Sequence, residues 1–254
     1  MIIGFFSDLH CGREEITNGN RYPSRSLGKL QKLLKDFEDK GVDLAICLGD
    51  VINGSVSRAD DMEHLLRVAK VMRDSSIPVL VMQGNHDFRN FGDDVFYRIT
   101  DFVRPPFVCR AGDVNLIFLD ANYKSDGTRY GADGAAVDWK DTNIPADQIR
   151  ALREVLANSP ADSRFWILCH QCLDIGVEER HIVNNADEVL DIIEHEGKNK
   201  VEFVICGHYH PGAYSIDIGR EFVTLPAVCT GKDFNPDAAL ILDTSHTPNN
   251  RGLK

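Results

Sequence analysis

The sequence predicts an α/β fold with two sheets inside and helices outside. Three observations carry this expectation. Short apolar runs bounded by Gly, Asp or Pro recur along the chain. Helix-period stretches fall between them. The order opens β-α-β-α-β and becomes richer in strand toward the C-terminus. The runs cover residues 2–7, 44–48, 79–82, 114–119, 165–169, 201–206, 222–225 and 239–242. They are continuously apolar rather than alternating, which fits strands covered on both faces.

The helices follow in order. Leu27, Leu30, Leu34 and Phe37 repeat at helical spacing, and Gly41 supplies a stop. Leu65, Leu66, Ala69 and Met72 form a second stripe within residues 60–74. Pro145 opens a third helix with Ile149, Leu152, Val155 and Leu156 on one face. A fourth begins at Asn185, where Glu188 completes a capping-box pattern, and stops at Gly197. A strand-turn-strand unit is centred on Ile218–Gly219–Arg220. Residues 1–245 read as one domain, and residues 246–254, with little apolar content, as a loose tail.

The 254-residue chain is long enough to bury a core without staples, and its formal net charge is −11. That balance speaks against long polyanions such as nucleic acid, which call for a cationic footprint. No run has the length of a membrane-spanning helix. The start, MIIGFFSDLH, reads as a strand rather than a secretion signal. The seven cysteines are odd in number and sit mostly in apolar stretches, which suggests buried thiols and a cytoplasmic setting. Cys169 and Cys172 read as independent neighbours, and clusters such as 178–180 as solvated charge.

The chemistry lies at strand ends. Asp8 and His10 follow the first strand, and Asp50 the second. Asn85, His86 and Asp87 follow the third. His170 ends the RFWILCH run, and His208 and His210 end VEFVICGHYH. Carboxyl ends of strands in an open α/β sheet share one edge, where ligands bind. Asp8 and His10 are two apart, as are His208 and His210, so in extended backbone each pair faces one way. Gly49, Gly84 and Gly207 allow sharp turns beside them. Asp8, His10, Asp50, Asn85, His170, His208 and His210 together offer more donors than one metal takes. Two metals sharing Asp50 would use this number. Mixed His/Asp/Asn ligation without thiolate suits Mn²⁺, Fe or Zn²⁺ and speaks against a structural zinc.

In their order, Asp8-Leu9-His10, Gly49-Asp50, Gly84-Asn85-His86-Asp87, His170 and Gly207-His208-Tyr209-His210 resemble the motifs of calcineurin-like metallophosphoesterases. The resemblance implies a four-layer αββα architecture, a β-sandwich flanked by helices. It also implies two divalent metals, Mn²⁺ or an Fe/Mn pair, with Zn²⁺ as a further option. Asp8, His10 and His210 would hold one ion, Asn85, His170 and His208 the other, and Asp50 would bridge. His86 matches the family's catalytic histidine. The implied reaction is attack of a metal-activated water on phosphorus, in a small phosphate ester or pyrophosphate.

A narrower resemblance, carried by residues 84–91, 185–190 and 207–243, is to manganese-dependent ADP-ribose/CDP-alcohol diphosphatases. Asp87 and Tyr209 depart from that subfamily's Glu and Asp. Asn53 stands where purple acid phosphatases carry a metal-binding Tyr, and where other members use an Asp to orient the catalytic His; something else, or Asn53 itself, must hold His86. Candidate substrate contacts are Arg13, Arg89, Asn122, Tyr123, Lys124 and Tyr209. The rival enzyme reading is a cyclic-nucleotide or glycerophosphodiester phosphodiesterase. A nuclease is disfavoured by the acidic balance. The rival of another class is a non-catalytic interaction module, which degenerate metal positions would favour; none is degenerate here.

Overall fold

A computed structural model describes residues 1–131, 137–174, 176–217 and 219–245. The expected tail at 246–254 and the turn residue Ile218 lie outside the described residues.

Two sheets stack face to face. The smaller holds β1 (Ile2–Phe6), β2 (Leu44–Cys47), β3 (Val79–Val81) and β10 (Ala239–Asp243), in the order β10-β1-β2-β3. β1, β2 and β3 run parallel, and β10 closes the edge antiparallel to β1. The larger sheet contains β4 (Val108–Ala111), β5 (Val114–Leu119), β6 (Phe165–Cys169), β7 (Val201–Cys206), β8 (Ala213–Asp217) and β9 (Arg220–Thr224). Its order is β4-β5-β6-β7-β9-β8, parallel in the centre and antiparallel at both edges.

The pleat sorts side chains into separate layers. Ile3 and Phe5 of β1 face inward, where they join Ile46, Leu48, Leu116, Trp166, Leu168, Phe203 and Ile205 between the sheets. Phe6, Ala45 and Cys47 face outward onto α1 (Ser26–Asp39) and α2 (Arg58–Arg73). On the far side, Ile117, Ile167, Cys169 and Val204 meet α4 (Ala146–Asn158) and α5 (Ala186–His195). This gives the expected αββα layering. Fully burying each such aliphatic or aromatic side chain contributes about 1.5–3 kcal/mol.

Local signals act largely as expected, with exceptions that have physical causes. Ser57 caps α2 by accepting from the Asp60 amide at 3.2 Å, with Asp60 and Asp61 in the first turn and Lys70 and Arg73 in the last. Leu66 does not join the α2 stripe; it faces solvent, and Val68 is buried instead. The expected capping box at Asn185 does not form. Its side-chain amide spans both backbone groups of Ile144, accepting from the N–H and donating to the carbonyl, each at 2.9 Å. Two backbone groups in the loop before α4 thereby gain partners, which outweighs one cap. Two elements carried no legible signal: β4, an edge strand interrupted by Arg110, and the eight-residue α3 (Asp93–Thr100).

The strand ends carrying Asp8, Asp50, Asn85, His170 and His208 do not share one sheet edge. β1, β2 and β3 belong to the smaller sheet, β6 and β7 to the larger. The stacking of the sheets brings both sets of carboxyl ends to one end of the sandwich. All seven cysteines are free thiols, Cys169 and Cys172 among them.

Candidate metal centre

The loops leaving the strands are stitched together by main-chain bonds. The amide of Asp8 donates to the Gly49 carbonyl at 3.0 Å, and that of His10 to the Asp50 carbonyl at 2.9 Å. The amide of His208 donates to Asp8 Oδ2 at 2.9 Å, and that of His86 to Asp50 Oδ1 at 2.8 Å. Asp87 ties β2 to β3: its carboxylate accepts from Val51 and Gly84 at 2.9 Å and from Ile52 at 3.2 Å. Two glycines are sterically required. A Cβ on Gly49 (φ 121°) would lie 2.4 Å from the Gly84 nitrogen, and one on Gly84 would lie 2.2 Å from Asp50 Oδ1.

Donor atoms converge on this frame. His10 Nε2 lies 3.4 Å from Asp8 Oδ1, 3.4 Å from Asp50 Oδ2 and 3.1 Å from His210 Nε2. His210 Nε2 is 3.3 Å from Asp8 Oδ1. His170 Nε2 is 3.4 Å from Asp50 Oδ2, and Asp50, His170 and His208 offer ligand atoms within 4.8 Å of one another. Asp50 also groups with His10 and His86, so it stands in two of the three donor groups, the third being His10, His210 and Cys229.

The donor set fits cations. Asp8 Oδ1, Asn85 Oδ1, His170 Nε2 and His208 Nε2 are buried and have no hydrogen-bond partner. Burying such atoms unpaired costs about 1–3 kcal/mol each, a cost that coordination removes. His170 Nδ1 lies 3.1 Å from the Leu48 carbonyl; donating there leaves Nε2 with a free lone pair.

Without cations, the electrostatics are those of mutual compensation. Burial alone would raise Asp8, but its contacts with His10 and His210 hold it well below the usual carboxylate range. Burial likewise opposes ionisation of Asp50, and His170, His86 and His10 outweigh it. Burial lowers His208 to about 3, with His170 adding repulsion. His170 goes the other way, to about 9, because Asp50, Asp8 and Asp87 overcome its burial.

His86 stands beside this cluster, its ring edge-on to His10 with centroids 4.4 Å apart. Its Nδ1 is 2.6 Å from the Asn53 backbone carbonyl. The main chain of Asn53, not its side chain, supplies the anchor that the sequence left open. Nε2 is thereby free to face the cleft. Burial lowers the pKa of His86, with the Asp50 charge and the Asn53 bond opposing the shift.

A cavity of about 450 Å³ opens over the cluster, walled by Arg21, Arg89, Trp139, Arg180, His181 and His208. A second, of about 740 Å³, shares Asn85, His86, Arg89 and Trp139 with it and is floored by Phe88 and Phe91. Of the candidate substrate contacts, only Arg89 lines both. Arg13 lines a neighbouring cavity of about 400 Å³ and pairs with Asp60 at 2.8 Å. Tyr209 stands behind His181, with ring centroids 5.1 Å apart. Asn122 is no cleft residue: it is buried, donating to Gln83 and Asp120 and accepting from Gln171. Tyr123 lines a separate cavity of about 410 Å³, and Lys124 lines neither that cavity nor the cleft.

The sequence reading missed Arg21, Trp139, Arg180 and His181. The 178–180 cluster reads in the sequence as solvated charge, yet the His181 ring next to it lies 5.4 Å from His208 and 5.2 Å from Trp139. The available signal was topological. Arg21 lies in the loop after β1, and Arg180 and His181 in the loop after β6, two strands already marked by ligand-type residues.

A family model of calcineurin-like phosphoesterases matches residues 1–212. Among curated proteins, the chain is 23% identical over 221 residues to the 3',5'-cyclic adenosine monophosphate phosphodiesterase CpdA of Haemophilus influenzae, covering 84% of this chain and 71% of that one. Among solved structures, a dimetal phosphatase from Danio rerio superposes with a TM-score of 0.75 at 20% identity, covering 90% of this chain and 88% of that one. A purple acid phosphatase from yellow lupin seeds gives a TM-score of 0.59 at 15% identity, covering 92% of this chain and 45% of that one. At these identities the structures establish the fold alone. Among the described residues, no helix is long and apolar enough to cross a membrane. The chain belongs to the calcineurin-like phosphoesterase family, whose members depend on a dinuclear metal centre, and is a metal-dependent phosphoester hydrolase.

Proposed function

We propose that the protein hydrolyses a small phosphate compound carrying groups on both sides of the scissile phosphorus, specifically a nucleoside-diphosphate-linked pyrophosphate. One observation carries this reading: the cleft has two arms that meet at Asn85 and His86. A monoester would need only one arm. The arm over the donor cluster is cationic, with Arg21, Arg89 and Arg180. Arg180 pairs with Glu178, whereas Arg21 and Arg89 form no ion pair among the described residues. Free guanidiniums suit a second phosphate. The other arm, lined by Arg58 and Asn90 over buried Phe88 and Phe91, offers the half-buried Trp139 ring to an organic substituent.

In this reading Asp8, His10 and His210 hold one divalent ion and Asn85, His170 and His208 the other, with Asp50 between them. Mn²⁺ or an Fe/Mn pair suits this nitrogen and oxygen set, and Zn²⁺ is compatible. When bound, such ions supply Lewis acidity at phosphorus and a water acidic enough to ionise near neutral pH. His86, fixed by Asn53, presents Nε2 to the leaving oxygen and, when protonated, delivers a proton to it. Arg21 and Arg89 orient the distal phosphate.

The test compares kcat/KM of Mn²⁺-reconstituted protein on ADP-ribose, CDP-choline, cyclic AMP, bis-p-nitrophenyl phosphate and p-nitrophenyl phosphate. The pyrophosphates should lead and the monoester should trail. The preference for pyrophosphate should shrink in Arg21→Ala and Arg89→Ala. His86→Ala should keep its metals and lose about 10²–10⁴-fold in kcat. A preference for the monoester, or metal loss on removing His86, would refute the assignment. The second reading is a cyclic-nucleotide phosphodiesterase, favoured by the likeness to CpdA; fastest turnover of cyclic AMP would select it.

A further inference from the structure

Among the buried charges outside the donor cluster, one is a lysine ammonium. Lys29, in the first turns of α1, is only 3% exposed. Its Nζ lies 3.0 Å from the Val228 carbonyl oxygen, 2.9 Å from Cys229, 3.1 Å from Thr230 and 2.7 Å from Gly231. Four successive carbonyls thus converge on one ammonium, and no carboxylate lies within ion-pair distance among the described residues. An ammonium has three protons, so four acceptors around it form an electrostatic cage rather than a set of one-to-one bonds. Carbonyl cages of this kind are what strip the hydration shell from potassium.

The other side of the same turn braces the candidate metal centre. The Cys229 amide donates to the Asp8 carbonyl at 3.0 Å, and the Val228 amide to the Ser7 carbonyl at 3.1 Å. The Cys229 thiol lies 3.8 Å from His210 Nδ1. Toward the cleft, Tyr22 donates to the Cys229 carbonyl, Gly231 donates to the Asn20 carbonyl, and Arg21 bridges to Thr230. The turn therefore fixes Asp8 and His210 on one side and the Arg21 loop on the other. Without a positive centre, four carbonyl oxygens converging on one point would repel one another, which favours opening of the turn.

We propose that Lys29 is a tethered monovalent cation, a positioning residue whose ammonium fills an oxygen cage that potassium or a small alkylammonium can also occupy. The inference rests on the placement of the catalytic centre at Asp8 and His210. The cation-binding part of the test is independent of the substrate.

The experiment uses wild type, Lys29→Ala and Lys29→Met, each metal-loaded. Melting temperature and the kinetics of bis-p-nitrophenyl phosphate hydrolysis are measured in potassium, methylammonium or choline chloride at equal ionic strength. Wild type should not distinguish the salts. Lys29→Ala in choline should melt lower and lose about 10-fold or more in kcat/KM, as supporting residues of metal sites commonly do. Potassium or methylammonium should restore both quantities saturably. Lys29→Met fills the space without charge and should stay impaired in every salt. If Lys29→Ala folds only in potassium or methylammonium, the inference also holds. A Lys29→Met protein equal to wild type would overturn it. So would a Lys29→Ala protein whose melting and rate respond equally to all three salts, or one that folds in none of them. Wild-type inactivity toward pyrophosphates would remove the substrate assignment and leave the cation-dependent melting of Lys29→Ala intact.

Discussion

Asp87→Asn tests the brace between β2 and β3, because two opposing influences meet at that carboxyl. Burial, reinforced by the neighbouring Asp50, pushes Asp87 up to about 8. Three backbone N–H groups, from Val51, Ile52 and Gly84, pull the other way, since each points a proton at a carboxylate oxygen. If Asp87 were neutral at pH 7, its proton would have to share Oδ2 with the Gly84 donor, leaving that oxygen a weaker acceptor. The geometry is that of an ionised group. An asparagine keeps one oxygen, so its amide nitrogen must face either Gly84 or the Val51–Ile52 pair. The smaller loss is one bond to a charged acceptor, about 1.5–3 kcal/mol, plus one buried donor without a partner, about 1–3 kcal/mol. Relief of repulsion against Asp50 returns part of this. A net cost of about 2–4 kcal/mol lowers the melting temperature by roughly 5–15 °C. Because the brace sets Asp50 against Asn85, metal affinity should fall about 10–100-fold. Thermal melts at pH 7 and a Mn²⁺ titration read both effects. A variant that melts within a degree of wild type and binds Mn²⁺ equally well would mean that Asp87 is neutral in the native protein, and the brace argument would fail.

Three further predictions follow from the same geometry. Gly84→Ala places a methyl 2.2 Å from Asp50 Oδ1 and 2.5 Å from the Asp50 nitrogen, neither of which can move aside; metal content by elemental analysis should drop below two per chain, and two retained ions with full activity would contradict it. Asp50→Asn should weaken both ions together in equilibrium dialysis, since Asp50 is grouped with His10 on one side and with His170 and His208 on the other; loss of only one would deny the bridging role. His170 is raised to about 9 from 6.5 in the metal-free protein, so its contribution is fully present below pH 6.5 and is lost as pH rises through 9. The metal-free protein should therefore lose melting temperature between pH 6.5 and 9, by at most about 3 kcal/mol of stability. The metal-loaded protein, whose His170 must be neutral to coordinate, should not, and identical pH profiles would refute this.

What could be read from the sequence divides along physical lines. The eight apolar runs became strands because continuous apolarity has few other outcomes in a chain this long. β4 was invisible because an edge strand needs no apolar run, and Val108–Ala111 is interrupted by Arg110. Asp8, His10, Asp50, Asn85, His170, His208 and His210 were legible because their types are costly at buried strand ends without a ligand. Arg21, Trp139, Arg180 and His181 were not, since residues of these types on loops are ordinary surface until tertiary packing turns them over a cavity. Asn122 misled for the reverse reason: a polar residue after a strand resembles a ligand contact, while its amide serves Gln83, Asp120 and Gln171.

Asp8 and His10 converge for a reason other than the one their spacing implies. Residues two apart share a face in extended backbone, but Asp8 has φ 59° and His10 φ 44°, both in the left-handed region. Asp50 at 53° and His208 at 65° share that conformation, which costs a non-glycine residue about 1–3 kcal/mol. The chain turns at each strand end rather than continuing the pleat, and the turn aims the side chain. Three of the four are pinned by a neighbouring loop: Asp8 by the Gly49 carbonyl, His10 by the Asp50 carbonyl, and His208 by the Asp8 carboxylate. Asp50 pins His86 in return. No loop can relax without releasing another. The strain is thus shared among three strand ends from two sheets, and it holds donor atoms together that would otherwise repel. A rigid ring of this kind favours occupants that satisfy all its members at once, which two cations sharing Asp50 would do and a single hydrogen-bonded water would not.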